Sequence, residues 1–366
     1  MGTSPFKLLN EGFDHVEFVA NKIDGLSKVF QGLGFQKLGE RTRSDRGTRS
    51  VLLGQHEIRI LITEPTQAAA KYFDPALQFL KTQNEGVCVL ALEVDDCRRA
   101  FAETVERGAT AALVPETYPS KYGSVTRAEI WTPGNVRYAF IERQGSERRD
   151  VPVLFDEGLE VNALRSESTS GLTRIDHLTN NVDMGEMKKW VKWYRDVFGF
   201  IVTRHFDIST GRTGLISDVV QSADGKIIVP INEATEPESQ VQEFVDRMKG
   251  PGVQHLALET SDILESLKMY RASMEFLSVP HTYYEDVPKR VRGVEENMKD
   301  LEKVQILVDG ETKDGYLLQI FSAEVLGPFF FEFIQRKGDK GFGEGNFKAL
   351  FEAIERDQIE RGVLKG

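Results

Sequence analysis

The chain repeats itself. FDHVEFVA at 13–20 is answered by IDHLTNNV at 175–182, and each leads through a helix-like segment to a matching phrase, LGFQKLGERT at 33–42 and FGFIVTRHF at 198–206. GVCVLALEVDD at 86–96 is answered by GVQHLALETSD at 252–262, and VRYAFIERQG at 136–145 by FFFEFIQRKG at 329–338. Such self-similarity means one supersecondary plan used more than once, which constrains the fold more than any local propensity. The matched phrases alternate apolar and polar residues or run apolar, as strands do. CRRAFAETVERGA (97–109) and ILESLKMYRASMEF (263–276) carry apolar residues at three- and four-residue spacing, as helices do. The order β-α-β-β-β is therefore expected four times, two copies per half. The fold class is α+β, with tandem domains at 1–161 and 172–366 and polar NALRSESTSG (162–171) between them. Each domain is expected to be an antiparallel-rich sheet, helices outside, curling around a concave interior that can hold a ligand.

Laying one half on the other aligns His15 with His177, Val89 with His255 and Ala139 with Glu332. The C-terminal half has His, His and Glu at three equivalent strand positions, and the N-terminal half keeps only the first. Glu332 also stands in an otherwise apolar run, where an unpaired carboxylate is costly to bury. A divalent cation is the counter-charge that explains it. Two imidazoles and one carboxylate from separate strands form the 2-His-1-carboxylate triad that favours non-haem Fe(II) and leaves positions open on the metal. Thiolate ligands are absent from this set, against structural zinc or an iron–sulfur cluster, and an all-oxygen magnesium or calcium site does not use two histidines. A histidine in a strand is more often a satisfied core residue than a ligand, and that reading is preferred for His15, His56, His205 and His281. No local motif such as HExxH links His177, His255 and Glu332. Spacing alone does not decide between metal and core; the repeat favours a metal.

A net charge of −11 argues against attraction to nucleic acid phosphates or anionic membranes. No segment has the length and apolarity of a membrane span, and MGTSPFKLLNEGFDHVEF has no uninterrupted apolar core of the kind a signal peptide needs. Cys88 and Cys97 show neither a disulfide framework nor metal-ligand spacing, and are expected to be small buried residues. A reducing, cytoplasmic home fits these features best.

The pieces RIDHLTNNV, VPINEA, SQVQEF, GVQHLALETSD, EFLSVPHTYYE, GYLLQIFS and FFFEFIQRKGDKGFGEGNFKALFEAIERDQIERGVL resemble the 4-hydroxyphenylpyruvate dioxygenase family, within the vicinal oxygen chelate group of βαβββ-module proteins. The resemblance is dense from about 172 to 364 and looser before it. It implies two barrel-like domains of that group, iron ligands at His177, His255 and Glu332, and a C-terminal helix acting as a lid. It implies substrate contacts from Ser217, Asn232, Gln240 and Gln319, and from Gln254, although strand alternation points Gln254 away from its neighbour His255. Phe321, Phe342 and Phe347 are implied to sandwich an aromatic ring, with Asn346 completing the loop, and Gln319, Phe321 and Asn346 to act in catalysis. Gly341, Gly343 and Gly345 make GFGEG a hinge or turn, and Phe347, Leu350, Phe351 and Ile354 form one apolar stripe on the helix that follows. Departures are few: Pro237 falls late in NEATEPESQ, and the loop between Tyr284 and Leu301 is variable.

The reaction implied is conversion of 4-hydroxyphenylpyruvate and O2 to homogentisate and CO2, a step of tyrosine and phenylalanine catabolism, with Fe(II) as cofactor. The substrate carries its own 2-oxo acid, so no separate one is needed. A homo-oligomer, dimer or tetramer, is also implied. The rivals are 4-hydroxymandelate synthase, with the same substrate and metal but benzylic hydroxylation, an extradiol ring-cleaving dioxygenase, and a non-catalytic ligand-binding module.

Overall fold

The computed structural model describes residues 5–67, 74–120, 123–145, 171–310 and 315–364. The first half runs β1 (Leu8–Val19), α1 (Ile23–Gly32), β2 (Gln36–Arg43), β3 (Thr48–Gln55), β4 (Ile58–Pro65), α2 (Pro75–Thr82), β5 (Gly86–Val94), α3 (Cys97–Glu106), β6 (Thr110–Ser120), β7 (Gly123–Trp131) and β8 (Arg137–Gly145). The second half begins with β9 (Leu172–Val182), α4 (Met187–Trp193), β10 (Ile201–Ser209), β11 (Gly214–Gln221), β12 (Ile228–Ala234) and α5 (Gln240–Met248). It continues with β13 (Gly252–Thr260), α6 (Ile263–Tyr270), α7 (His281–Arg290), α8 (Met298–Lys303), β14 (Leu307–Asp309), β15 (Tyr316–Phe321), β16 (Phe330–Lys337) and α9 (Glu344–Glu360). The sheet orders β2-β3-β4-β1-β5-β8-β7-β6 and β10-β11-β12-β9-β13-β16-β15-β14 are the same plan twice. Within each, only the contacts that close a module, β1 with β4, β5 with β8, β12 with β9 and β13 with β16, are parallel. Of the expected linker, only Gly171 lies among the described residues.

Local chemistry repeats along with the topology. Asp96 and Asp262 accept from the backbone N–H of Arg99 and Glu265 and so cap α3 and α6, each just after a matched strand. The halves also share one core, because alternation in FFFEF turns Phe329, Phe331 and Phe333 to the outer face of β16. There Phe329 meets Phe18 at 5.1 Å between ring centroids and Phe331 meets Phe30 at 5.3 Å, both edge-on. Such buried rings each contribute roughly 1.5–3 kcal/mol from apolar burial alone. Cys88 and Cys97 are buried free thiols in this core, as expected.

The expected helix at 263–276 ends early, at Tyr270. The chain leaves it to bind the sheet: Leu277 N–H donates to the Phe321 carbonyl and Ala323 N–H to that of Glu275. Of the Tyr284–Leu301 stretch, expected as a loop, only 291–297 is one; its ends form the second half of α7 and the start of α8. Neither helix has a counterpart in the first half, where α3 is followed directly by β6. The final helix α9 lies over the second sheet's interior, its Phe347 and Phe351 packed with the Phe206 cluster and Ile354 with Phe321 and Phe330. The side chain of Leu350 lies outside the described residues.

Candidate metal centre

Three neighbouring strands, β9, β13 and β16, bring the repeat's odd residues together. Their registers place His177 opposite Ala257 and Ala257 opposite Glu332, with His255 two residues back on the central strand. Ala257 is fully buried and small, which leaves room above it for the two flanking side chains to lean inward. The same row in the first half reads His15, Ala91, Ala139, with Val89 where His255 stands. The alignment made from sequence is therefore the alignment of the strands.

His177 Nε2 lies 3.4 Å and His255 Nε2 3.5 Å from the same oxygen, Oε2 of Glu332. Each of the three residues offers one ligand atom, all within 4.8 Å of one another, and all three side chains are buried. Adjacent ligand atoms about 2.1 Å from a shared ion lie roughly 3 Å apart, so a divalent cation needs these contacts to tighten only slightly. The donor set and its geometry fit such an ion.

The surrounding groups aim the donors. Asp176 Oδ2 accepts from His177 Nδ1 at 2.8 Å and is itself gripped by Arg336, whose Nε and Nη2 reach its two oxygens at 2.8 and 2.7 Å. That fixes the tautomer and leaves the Nε2 lone pair for a metal. His255 Nδ1 is 3.1 Å from Gln254 Oε1, while its Nε2 lies 3.0 Å from the Thr179 hydroxyl. Gln254 reaches its neighbour because β13 carries a bulge there, which corrects the alternation reading: Val253 pairs with Asn180 and His255 with Thr179, leaving Gln254 as the extra residue. A second bulge, at Asp176 on β9, explains how an Asp can hold the His that follows it.

Burial alone raises the Glu332 carboxyl, but the His177 charge and hydrogen bonds from both histidines outweigh it and hold it at about 2. Burial alone lowers His177, yet Glu332 and Asp176 push it up to about 9. Burial dominates at His255 and keeps it below the usual histidine value.

The remaining expected residues divide into three groups. Ser217 and Asn232 stand abreast on β11 and β12, with Asn181, which sequence reasoning did not single out, beside them on β9. Ser217 Oγ, Asn232 Oδ1 and Asn181 Nδ2 are buried atoms with no hydrogen-bond partner among the described residues. Gln240 begins α5 and donates to the Phe351 carbonyl of α9. With Gln254, Phe244, Leu277, Phe330 and Ile354 it walls a cavity of about 310 Å³. This cavity touches the triad's surroundings, since Phe330 stacks on His255 at 4.9 Å. A larger cavity, about 660 Å³, is walled by the GFGEG loop with Arg290 and Asp309, and its Phe342 packs on His177 at 5.7 Å; neither cavity is walled by a candidate ligand itself.

The third group lies around Glu332 and His177. Gln319 donates to Glu332 Oε1 at 2.7 Å and accepts from Asn346 Nδ2 at 2.8 Å, so it holds a candidate ligand. Phe342 packs edge-on to His177 at 5.7 Å and Phe347 stacks on Phe206, whereas Phe321 sits with Phe330 in a separate cluster. The three rings thus stand in two groups, Phe342 and Phe347 in one and Phe321 in the other. His15 is buried against Asp14, but His56, His205 and His281 are exposed, correcting the core reading for those three. Sequence reasoning missed Asp176, Thr179 and Arg336. The dipeptide DH in both halves was the available signal for Asp176.

A hydroxyphenylpyruvate dioxygenase N-terminal family model matches residues 5–145, and a glyoxalase/bleomycin resistance protein/dioxygenase superfamily model matches 174–295. A 4-hydroxyphenylpyruvate dioxygenase of Pseudomonas aeruginosa is 38% identical over 361 residues, 97% of this chain and 96% of that protein. The chain belongs to the 4-hydroxyphenylpyruvate dioxygenase family. Hemolysin VllY of Vibrio vulnificus is also 38% identical, over 97% of this chain and 96% of its own. Among solved structures, a triple mutant of 4-hydroxymandelate synthase from Streptomyces coelicolor superimposes with a TM-score of 0.83, at 25% identity over 97% of this chain and all of that one. The family's tandem glyoxalase-type fold accounts for both sheets. No helix among the described residues is long and apolar enough to cross a membrane.

Proposed function

We propose that this chain converts 4-hydroxyphenylpyruvate and O2 to homogentisate and CO2, with Fe(II) held by His177, His255 and Glu332. The observation that carries the reading is the convergence of those three donors in the catalytic half of a chain whose relatives of this name match it from end to end. Bound there, the metal supplies a chelating site for a 2-oxo acid and the activation of O2. The protein's part is to bind, orient and exclude water.

Ser217, Asn232 and Asn181 offer neutral, unsatisfied polar atoms to the substrate, which suits a phenol without burying a second charge. Gln240 and Gln254 offer amides from the wall of the neighbouring cavity. Phe321 and Phe330 bound the ring on the strand side, and Phe342 and Phe347 on the side of α9. The second reading is 4-hydroxymandelate synthase, favoured by the structural likeness at a TM-score of 0.83. Incubation of 4-hydroxyphenylpyruvate under air, with and without added Fe(II), followed by product identification, separates the two. Iron-dependent homogentisate and CO2 in equal amounts is the expected result. 4-Hydroxymandelate as the main product selects the second reading, and no iron-dependent product defeats both.

A further inference from the structure

We infer that Tyr283 and Arg290 are positioning residues that set the Glu332 carboxylate through a directional chain of hydrogen bonds and fasten α9 to it. The inference rests on the reading of the triad as a metal centre. Arg290 Nη2 donates to the Tyr283 oxygen and to the Val308 carbonyl, both at 2.7 Å; with that carbonyl, 2.8 Å from the Tyr283 hydroxyl, so supplied, the hydroxyl donates to Asn346 Oδ1. Asn346 Nδ2 donates to Gln319 Oε1 at 2.8 Å, and Gln319 Nε2 donates to Glu332 Oε1 at 2.7 Å. One end of this chain is a guanidinium, which can only donate, and the other an ionised carboxylate, which can only accept. Both amides between them are therefore held in a single orientation, neither free to flip.

The consequence falls on the metal. Gln319 occupies Oε1, so only Oε2 of Glu332 faces the two histidine nitrogens. The carboxylate is held for one-oxygen ligation, which keeps further positions open for a chelating 2-oxo acid and O2. If Gln319 turned its carbonyl towards Glu332, two acceptors would meet, and Oε1 would be driven to the metal.

The backbone is shaped to allow the chain. A Cβ at Gly343, whose φ is +71°, would stand 2.1 Å from Gln319 Oε1, and one at Gly345 would stand 2.4 Å from Arg290 Nη1. Gly345 N–H donates to Asp309 Oδ2 at 2.7 Å, and Asp309 also binds Arg290. The start of α9 is thus pinned to both ends of the chain. Tyr283 and Arg290 stand on α7, which the first half lacks, and there the position of Gln319 is occupied by Arg127. The added helix and the added metal site occur in the same half.

The test uses Tyr283→Phe and Arg290→Lys in the full chain, with Co(II) as the probe metal. Two readouts are taken: amide hydrogen exchange at the start of α9 in the metal-free protein, and the Co(II) absorption spectrum, whose intensity reports coordination number. For Tyr283→Phe the chain predicts faster exchange at residues 345–347, Co(II) affinity lowered roughly tenfold, and a spectrum shifted towards higher coordination. Arg290→Lys, which keeps a donor, should fall between this variant and wild type. Faster exchange with an unchanged spectrum would mean that Tyr283 anchors the helix alone, and overturns the inference. Unchanged exchange overturns it as well. Failure of the wild-type chain to bind Co(II) removes the metal centre itself, and the relay with it.

Discussion

Asp14 and Asp176 each hold the Nδ1 of the histidine that follows, and Arg143 and Arg336 each pair with that aspartate. The orienting pair thus survives in the half that has no ligands for it to orient. His15→Ala is expected to leave metal stoichiometry unchanged, because Val89 and Ala139 stand where the other two donors would. A folded variant that has lost one equivalent of metal would contradict this. The pH dependence of the metal-free chain follows from the same residues. His177 is raised from 6.5 to about 9, so its contribution to stability is whole below 6.5 and is lost as pH climbs through 9. Glu332 is lowered from 4.5 to about 2, so its contribution is present above 4.5 and lost as pH falls through 2. Metal must displace the His177 proton, so metal addition at a pH between 6.5 and 9 should release it. Calorimetry in buffers of different ionisation enthalpy measures that release, which should vanish in His177→Gln.

Elements were legible where pattern and repeat agreed and obscure where the backbone broke pattern. The triad could be read because His177, His255 and Glu332 stand at matched strand positions whose first-half partners are His, Val and Ala. The bulges at Asp176 and Gln254 could not be read, since an unpaired residue in a ladder leaves no mark in apolar alternation. Nor could α7, where Pro288 sits inside the helix and the sequence therefore reads as loop. Phe321 on β15 packs with Phe330, whereas Phe342, just before α9, and Phe347, within it, join the Phe206 cluster. Phe321 faces Glu332 across β15 and β16. Phe321→Val should loosen the ring of the bound substrate and divert part of the product towards 4-hydroxymandelate. Homogentisate alone at the wild-type rate would show that Phe321 does not control the reacting carbon.

At the scale of the whole molecule, the two sheets share a core yet differ in what fills their interiors. In the first, Arg127 and Arg137 close on Glu129 as buried ion pairs, at the positions of Gln319, Phe330 and Phe321. Those three charges pair with one another. In the second, a carboxylate and two imidazoles converge as a candidate metal site. Because Phe331 of β16 packs on Phe30 of α1, Phe331→Ala should cost about 3–5 kcal/mol, and both halves should still melt in one transition. Two separate transitions by calorimetry would contradict a shared core.

Glu332→Gln tests the metal centre most directly, with metal-free thermal melts and iron titration made on the same preparations. The side chain keeps its shape and loses its charge. Iron affinity and turnover should collapse, while the metal-free protein should hold or gain stability at alkaline pH, where His177 no longer offsets a buried carboxylate. Loss of metal-free stability under those conditions, with iron bound at the wild-type level, would make Glu332 a structural ion-pair partner and end the account of the site.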